Sequence, residues 1–246
     1  MASTCLLFSA CQQSSPIPEN EFAALLQREG LVAYKPPQGN PDNSMDWRKY
    51  GPGTIIRRGT FEYEQSAAAM IGEDGVVQAS ASNQASDYNL FNQKSVSGFQ
   101  LDASGGYNIN GVSDISAALN LSRDTTMEVT FGKNYRSQPF STDQLREMVR
   151  SKAKLISPET RMNLRQKKSD IIAYVVYTDS LKISFTRKTT DGGSAKINLT
   201  DADIAKASLS GKDYKTQDGA LIVPGKTFLF YRPLEDPGSL IASHDR

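Results

Sequence analysis

The side chains that most often carry catalysis or bind metal ions are few in this 246-residue sequence. It holds two cysteines, Cys5 and Cys11, and one histidine, His244, third from the end. A catalytic triad or a zinc site needs histidine or cysteine side chains that a folded core holds together. The sequence therefore predicts no such catalytic group, no metal site and no cofactor. A non-enzymatic protein is favoured over an enzyme that uses carboxylate pairs, because no spacing singles out any of the 27 acidic residues.

The two cysteines are candidate lipidation sites. Cys11 follows Phe8-Ser9-Ala10 and precedes a polar QQSS stretch, so it resembles the processed cysteine of a bacterial lipoprotein. Both Cys5 and Cys11 also suit S-acylation of a cytosolic protein, since acylated cysteines often lie near apolar residues. The third interpretation is a disordered tail with two ordinary thiols. One acyl chain is a marginal anchor, so lasting attachment needs a second membrane signal.

A basic cluster supplies a candidate for that second signal. Residues 141–168 contain eight bases and three acids, a net charge of 8 − 3 = +5 in a chain whose total is +1. The bases are Arg146, Arg150, Lys152, Lys154, Arg161, Arg165, Lys167 and Lys168. Anionic lipid headgroups would favour each suitably placed cation by about 1 kcal/mol. The alternatives are a solvated helical face or a surface for nucleic acid or an acidic protein; nucleic acid is disfavoured because no aromatic residues are interleaved for base stacking.

Two helices must position this cluster. Ser141, with Gln144 three residues later, forms a capping box. Apolar residues follow at helical spacing: Leu145, Met148, Val149 and Leu155. Ser157 as N-cap and Pro158 at the first helical position begin the second helix. The sequence thus predicts a basic two-helix insertion between strands.

The flanking segments alternate with a period of two. Residues 115–131 and 171–187 place apolar side chains on odd positions, the pattern of strands with one apolar and one polar face. Each is longer than ordinary strands of about five or six residues. Either could be two short strands, divided by a turn at 122–125 or at 177–180.

Shorter elements complete the prediction. They are a helix at 21–28, a strand at 31–34, a hairpin around Gly59, two strands or a short helix within 66–82, a turn at 191–193 with an answering strand at 195–199, and strands at 220–223 and 227–232 joined by a turn at 224–226. The fold class is α+β, with a central twisted, mostly antiparallel sheet of long amphipathic strands and a two-helix basic insertion. The predicted domains are a tether at 1–20, one α+β domain at 21–233 and a polar tail at 234–246.

The order of these elements resembles that of bacterial gasdermins. The resemblance runs from the opening helix and GLVAY through QLDASGGYNINGVSDISAALNL and TTMEVTFG to a helix at STDQLREMV. It ends with AYVVYTDSLKISFTRKTTDGGSAKINLTDADI and the strand FLFYRP. The best local match is the late hairpin with its Asp-Gly-Gly turn.

This resemblance implies a membrane-associated pore former. In that family two hairpins lengthen into a large membrane β-barrel after a protease removes a short inhibitory C-terminal segment. The inserting hairpins would be 99–131 and 171–199, the lipidated residue would be Cys5 or Cys11, and the basic helices would contact anionic lipid. The expected partners are anionic membrane lipid, an activating protease and further copies of the chain. The location is the cytoplasm moving to the inner membrane, or the cell envelope if Cys11 is a lipoprotein cysteine. The alternative function is an envelope lipoprotein that binds or scaffolds without insertion.

Overall fold

The computed structural model describes residues 16–33, 46–81, 86–91, 94–100, 125–206 and 214–242. Over these ranges the chain is α+β, as predicted, with a large and mostly antiparallel sheet. The strands are β1 (Ile17–Pro18), β2 (Val32–Ala33), β3 (Ile55–Arg57), β4 (Tyr63–Gln65), β5 (Ser86–Asp87), β6 (Ser95–Gln100), β7 (Thr125–Phe131), β8 (Asn134–Ser137), β9 (Ser169–Lys188), β10 (Ser194–Ile197), β11 (Lys215–Gln217) and β12 (Ala220–Pro233). The helices are α1 (Glu19–Arg28), α2 (Trp47–Tyr50), α3 (Ala67–Ser80), α4 (Thr142–Ser151), α5 (Pro158–Arg165), α6 (Asp201–Lys206) and α7 (Pro237–Ala242).

Strand β9 is the centre of the sheet. The main path runs β1-β6-β7-β9-β12-β11, and among the described strands only β1 and β6 pair in parallel. One edge of β9 pairs in turn with β3, β8 and β7, and the other edge pairs with β12 and β10. The path begins at β1 and ends at β11 without a ladder between them in the described ranges, so the sheet is open.

Three groups of buried side chains fill the molecule. The α1 core lies between α1 and the strands β7, β9 and β12. The α2 core lies beneath α2 and the β3–β4 hairpin, and the helical core lies among α3, α4, α5 and α7. Residues Ser169–Thr178 of β9 contribute to all three cores and are buried on both faces, as expected for a continuous apolar run.

The apolar odd-numbered residues of β9 do not share one face. Val175 and Tyr177 lie in the α2 core, whereas Leu181 and Ile183 lie in the α1 core. Val176, an even-numbered residue, also lies in the α1 core. The turn considered as an alternative at 177–180 does not form, because β9 is one strand over this range. The side chains that face the α1 core nevertheless change there from even-numbered to odd-numbered positions.

The two helices of the basic insertion form as predicted. The Ser141 hydroxyl accepts a bond from the Gln144 N–H, and the Gln144 side chain accepts one from the Ser141 N–H. Ser157 caps α5 through the Thr160 N–H, with Pro158 at its first position. Leu155 does not share the buried side of Leu145 and Val149, although it follows them at helical spacing. Helix α4 ends at Ser151, and a 3-10 turn at Ala153–Leu155 shifts the helical phase so that Ile156 is buried instead.

Two other predictions need correction. Residues 67–80 form helix α3, the second of the two structures considered for them, because alanine-rich sequence favours helix; Gly72, with φ +78°, divides it. The predicted turn at 224–226 is a β-bulge inside the single strand β12. The hairpin around Gly59, the helix at the start of the domain and the late strand after the Asp-Gly-Gly turn are confirmed.

Candidate functional site

The amphipathic strands β7 and the second half of β9 lie side by side. They pair antiparallel, with Met127 opposite Phe185 and Phe131 opposite Leu181. Side chains alternate strictly between buried and half-buried from Thr125 to Phe131, and from Leu181 to Thr186. The half-buried positions are polar on both strands: Thr126, Glu128, Thr130, Lys182, Ser184 and Thr186. The pair therefore presents one apolar face and one polar face, as the sequence predicts for these residues.

Helix α1 covers the apolar face of these strands. Phe22 is 1% exposed and stacks on Phe131, with ring centroids 5.9 Å apart. Its ring also meets the rings of Phe91 and Phe230 edge-on, with centroids 5.3 Å and 5.7 Å away. Leu26, one turn later, lies in the same core. Release of α1 would thus expose a continuous apolar surface on the sheet.

The β9–β10 hairpin continues this surface outward. Ser194–Ile197 pairs with Lys188–Phe185, and the Thr189 N–H bonds to the Gly193 carbonyl across the turn. Most of β10 is exposed, although Ile197 packs against the α1 core. Of the predicted first hairpin, only the parts in β6 and β7 fall within the described residues; residues 101–124 lie outside them.

The eight basic residues lie along α4, the 3-10 turn and α5, and the chain just after it. Arg150, Lys154, Arg165, Lys167 and Lys168 are exposed, whereas Arg146, Lys152 and Arg161 are half-buried. Two of these cations pair within α4, Arg146 with Asp143 and Arg150 with Glu147. A left-handed residue, Lys167 with φ +56°, ends α5 and turns the chain into β9.

Two exposed apolar side chains lie among these cations. Leu155 is 67% exposed and Met162 is 49% exposed, and they are two of the four large apolar side chains exposed within the described ranges. Sequence reasoning missed both. Leu155 follows Leu145, Met148 and Val149 at helical spacing in the sequence, and only the change of phase after α4 places its side chain outside. Apolar side chains next to basic ones are the composition of surfaces that lie on membranes.

A buried polar network joins this helical region to the sheet. The Arg58 guanidinium donates to Asp170, which is 3% exposed, and the Tyr231 hydroxyl donates to the same carboxylate at 3.2 Å. The hydrogen bond from Arg58 to Asp170 raises the pKa of Arg58. Burial, together with the charge of the nearby Asp170, raises the pKa of Tyr231 above its usual range. Glu64 accepts from Arg57, Asn163 and Ser169 at 2.9 Å each. The network thus connects the β3–β4 hairpin, α5 and β9.

The C-terminal helix α7 covers the junction of α4 and α5. Leu240 and Ile241 are buried in the helical core with Leu145 and Leu164. Gly238 lies so close to the backbone of Arg165 that an added Cβ would be 3.1 Å from its Cα. Residues 237–242, which the sequence places in a polar tail, are therefore a packed element in this structure.

The candidate lipidation residues Cys5 and Cys11, like His244, lie outside the described residues. Within those residues, no group of three or more histidine, cysteine or acidic side chains is arranged to hold a metal ion. No helix in the described ranges is long and apolar enough to cross a bilayer.

The similarity of this chain to known proteins lies in its structure. No protein-family model matches the chain, and no curated protein matches it in sequence. Among solved structures, it is similar to a bacterial gasdermin from Bradyrhizobium tropiciagri, with a TM-score of 0.48 and 14% sequence identity, over 86% of this chain and 84% of that one.

Proposed function

We propose that this protein is a membrane-associated, gasdermin-like pore former that inserts β-hairpins into an anionic bilayer. The observation that carries the proposal is the pairing of β7 with the second half of β9. Their shared apolar face is covered by α1, and their other face is polar. Bilayer-spanning strands need one face for lipid and one for water, with the backbone hydrogen bonds made between strands. The polar face would line the pore.

The basic helices would dock the protein before insertion. Exposed cations on α5 and just after it attract anionic headgroups, while Leu155 and Met162 can enter the interface. An acyl chain on Cys5 or Cys11 would supply the second signal that stable attachment needs. The location follows from the anchor: the cell envelope for a processed Cys11, or the cytoplasm and then the inner membrane for an acylated cytosolic chain.

Neutralising Lys167 and Lys168 is expected to weaken docking. Replacement of both by glutamine should reduce binding to anionic vesicles by about thirtyfold, since each cation contributes about 1 kcal/mol. Sedimentation with vesicles of phosphatidylglycerol and phosphatidylcholine, and of phosphatidylcholine alone, measures this difference. Lys215→Gln with Lys226→Gln is the matched control, because both lysines are exposed and lie on β11 and β12, outside the proposed hairpins. Equal losses for the two pairs would refute a docking role for the helical cations.

Proteolysis after Pro233 would activate the protein. Glu235 and Asp236 are exposed between β12 and α7, so a protease can reach this connection. Loss of α7 would uncover apolar side chains of α4 and α5 next to the cations. Stronger docking would then concentrate chains on the membrane, where homo-oligomers form.

Dye release from liposomes tests the proposal. A protease site placed at Glu235-Asp236 should convert inactive protein into one that releases dye from anionic liposomes. The same site placed at the exposed Gly59-Thr60 turn is the control for cleavage itself. If neither full-length nor cleaved protein releases dye across lipid compositions, the pore is refuted and an envelope lipoprotein that only binds or scaffolds is favoured.

A further inference from the structure

Side chains alternate between the two faces of the sheet along β7–β8 and along β9. In both, the order of this alternation reverses at the same level of the sheet. On β9, Val176 and Leu181 face the same α1 core although five positions separate them. On the neighbouring strands, Phe131 of β7 lies in the α1 core, whereas Tyr135 of β8 packs against the α2 core. In a regular strand, residues an even number apart share a face and residues an odd number apart do not. Val176 and Leu181 share a face although they are five apart, and Phe131 and Tyr135 differ in face although they are four apart. The backbone therefore departs from regular strand geometry between the residues of each pair.

Hydrogen bonds tie the two irregular segments together. The Gly132 N–H donates to the Ser180 carbonyl at 3.0 Å, and the Asp179 N–H donates to the Lys133 carbonyl at 3.1 Å. The Asp179 carboxylate accepts from the Lys133 N–H at 2.9 Å and from the Ser180 hydroxyl at 3.1 Å. Gly132 leaves no room for a side chain, because an added Cβ would overlap Asp179 and Ser180. We call Gly132, Lys133, Asp179 and Ser180 the clasp.

The opposite edge of β9 is irregular at the same level. Between Pro224 and Thr227, β12 carries one more residue than β9 does between Ser180 and Thr178. Gly225, with φ +89°, occupies this bulge. Bulges bend strands and increase their twist. The irregular positions of three neighbours, namely the β7–β8 junction, β9 and β12, therefore lie on one line across the sheet.

The parts of β9 on the two sides of this line differ in whether they have a polar face that could contact water. On one side, Ser169–Thr178 is buried on both faces, with β3 and β8 along one edge and β12 along the other. It has no polar face to turn toward water. On the other side, the strand alternates from Leu181 to Thr186. Only this second part is amphipathic.

We propose that the clasp is a hinge, the fixed base from which both hairpins leave the body of the protein while Ser169–Thr178 stays in its cores. This inference rests on the proposed function and narrows it: the second inserting hairpin begins at Asp179 and not at Ile171. From Asp179 to Lys188 the strand has ten residues. That length fits the nine to eleven or so that a tilted strand needs to cross a bilayer. The first hairpin ends at the same base, because Gly132 directly follows β7.

Hydrogen–deuterium exchange in the full-length soluble protein tests the hinge without a membrane. Asp179→Ala removes the acceptor for the Lys133 N–H, whereas Asp179→Asn keeps an oxygen at that place. For Asp179→Ala we expect amides of residues 125–131 and 181–188 to exchange about tenfold faster. Residues 169–177 should be unchanged, and Asp179→Asn should resemble the wild type. Asp191→Ala, in the exposed turn at the far end of the hairpin, is the matched control and should not change exchange near the clasp.

The wild-type protein supplies a second measurement that needs no variant. When exchange is measured at increasing denaturant concentrations, the amides of residues 181–188 should lose protection at a lower concentration than those of residues 169–177. The boundary between the two groups should lie at the clasp. Equal protection along all of β9, or faster exchange on both sides in Asp179→Ala, would overturn the hinge. Failure of the pore is a separate outcome: liposomes that release no dye refute the proposed function and leave the exchange boundary as measured.

Discussion

Replacement of Phe22 by alanine is expected to lower the free energy of unfolding by about 3–5 kcal/mol. The phenyl ring is almost wholly buried and touches Phe91, Phe131 and Phe230, so its loss leaves a cavity that α1 and the sheet cannot easily close. Urea denaturation followed by the fluorescence of Trp47 measures the change. Trp47 is the only tryptophan of the chain and packs edge-on against Phe228, which belongs to the α2 core and not to the α1 core.

A control on the same helix separates this cavity from a general effect on α1. Leu25 is only half-buried, so Leu25→Ala should cost clearly less than Phe22→Ala. If the two substitutions were equally costly, the contact of Phe22 with the strands would not be what stabilises the resting fold. On the proposed function, Phe22→Ala should also speed dye release by the cleaved protein, because α1 then covers the apolar face less firmly.

Replacement of Arg58 by alanine is expected to cost about 3 kcal/mol, far more than loss of an exposed ion pair. Arg58 itself is 48% exposed, but its partner Asp170 is not, and the substitution leaves that carboxylate buried without its cation. The matched control is Arg48→Ala. Arg48 pairs with Glu73 at 2.8 Å, and both side chains are more than 60% exposed, so less than 1 kcal/mol should be lost.

A double substitution identifies the cause. Asp170→Asn removes the buried charge, so Arg58→Ala should cost much less in that background than in the wild type. The measurement is again urea denaturation, now across the four variants of the cycle. Additive losses would contradict the interpretation, because they would show that Arg58 stabilises the fold by packing and not by compensating Asp170.

Local features of the fold could be predicted because neighbouring residues alone produce them. The capping box at Ser141, the start of α5 at Ser157-Pro158 and the alternation of 125–131 depend on bonds and side-chain spacings within a few residues. The prediction of strands in 66–82 was wrong, because the residues of that segment do not decide its structure by themselves. Short runs of small apolar residues suit a helix or a strand, and packing against the helical core decides between them.

The candidate site was only partly predictable. The sequence identifies the exposed cations of the insertion, because long basic side chains seldom lie in a core. It does not identify Leu155 as their apolar neighbour, since a change of helical phase after α4 turns that side chain outward. Nor does any local pattern reveal that Arg58 pairs with the buried carboxylate of Asp170, more than a hundred positions away.

By itself, the sequence determined the class of the fold, the amphipathic character of β7 and the second half of β9, and the basic character of the helices between them. These properties follow from residue type and period, which hold in any fold that forms the strands and helices. Only the tertiary structure decided what covers the apolar face and where β9 changes phase. Helix α1 reaches β7 and β9 from far away in the chain, and the clasp arises where Gly132 meets Asp179 and Ser180 across two strands. Such contacts between distant residues form only when the whole sheet assembles, so no local pattern of residues contains them.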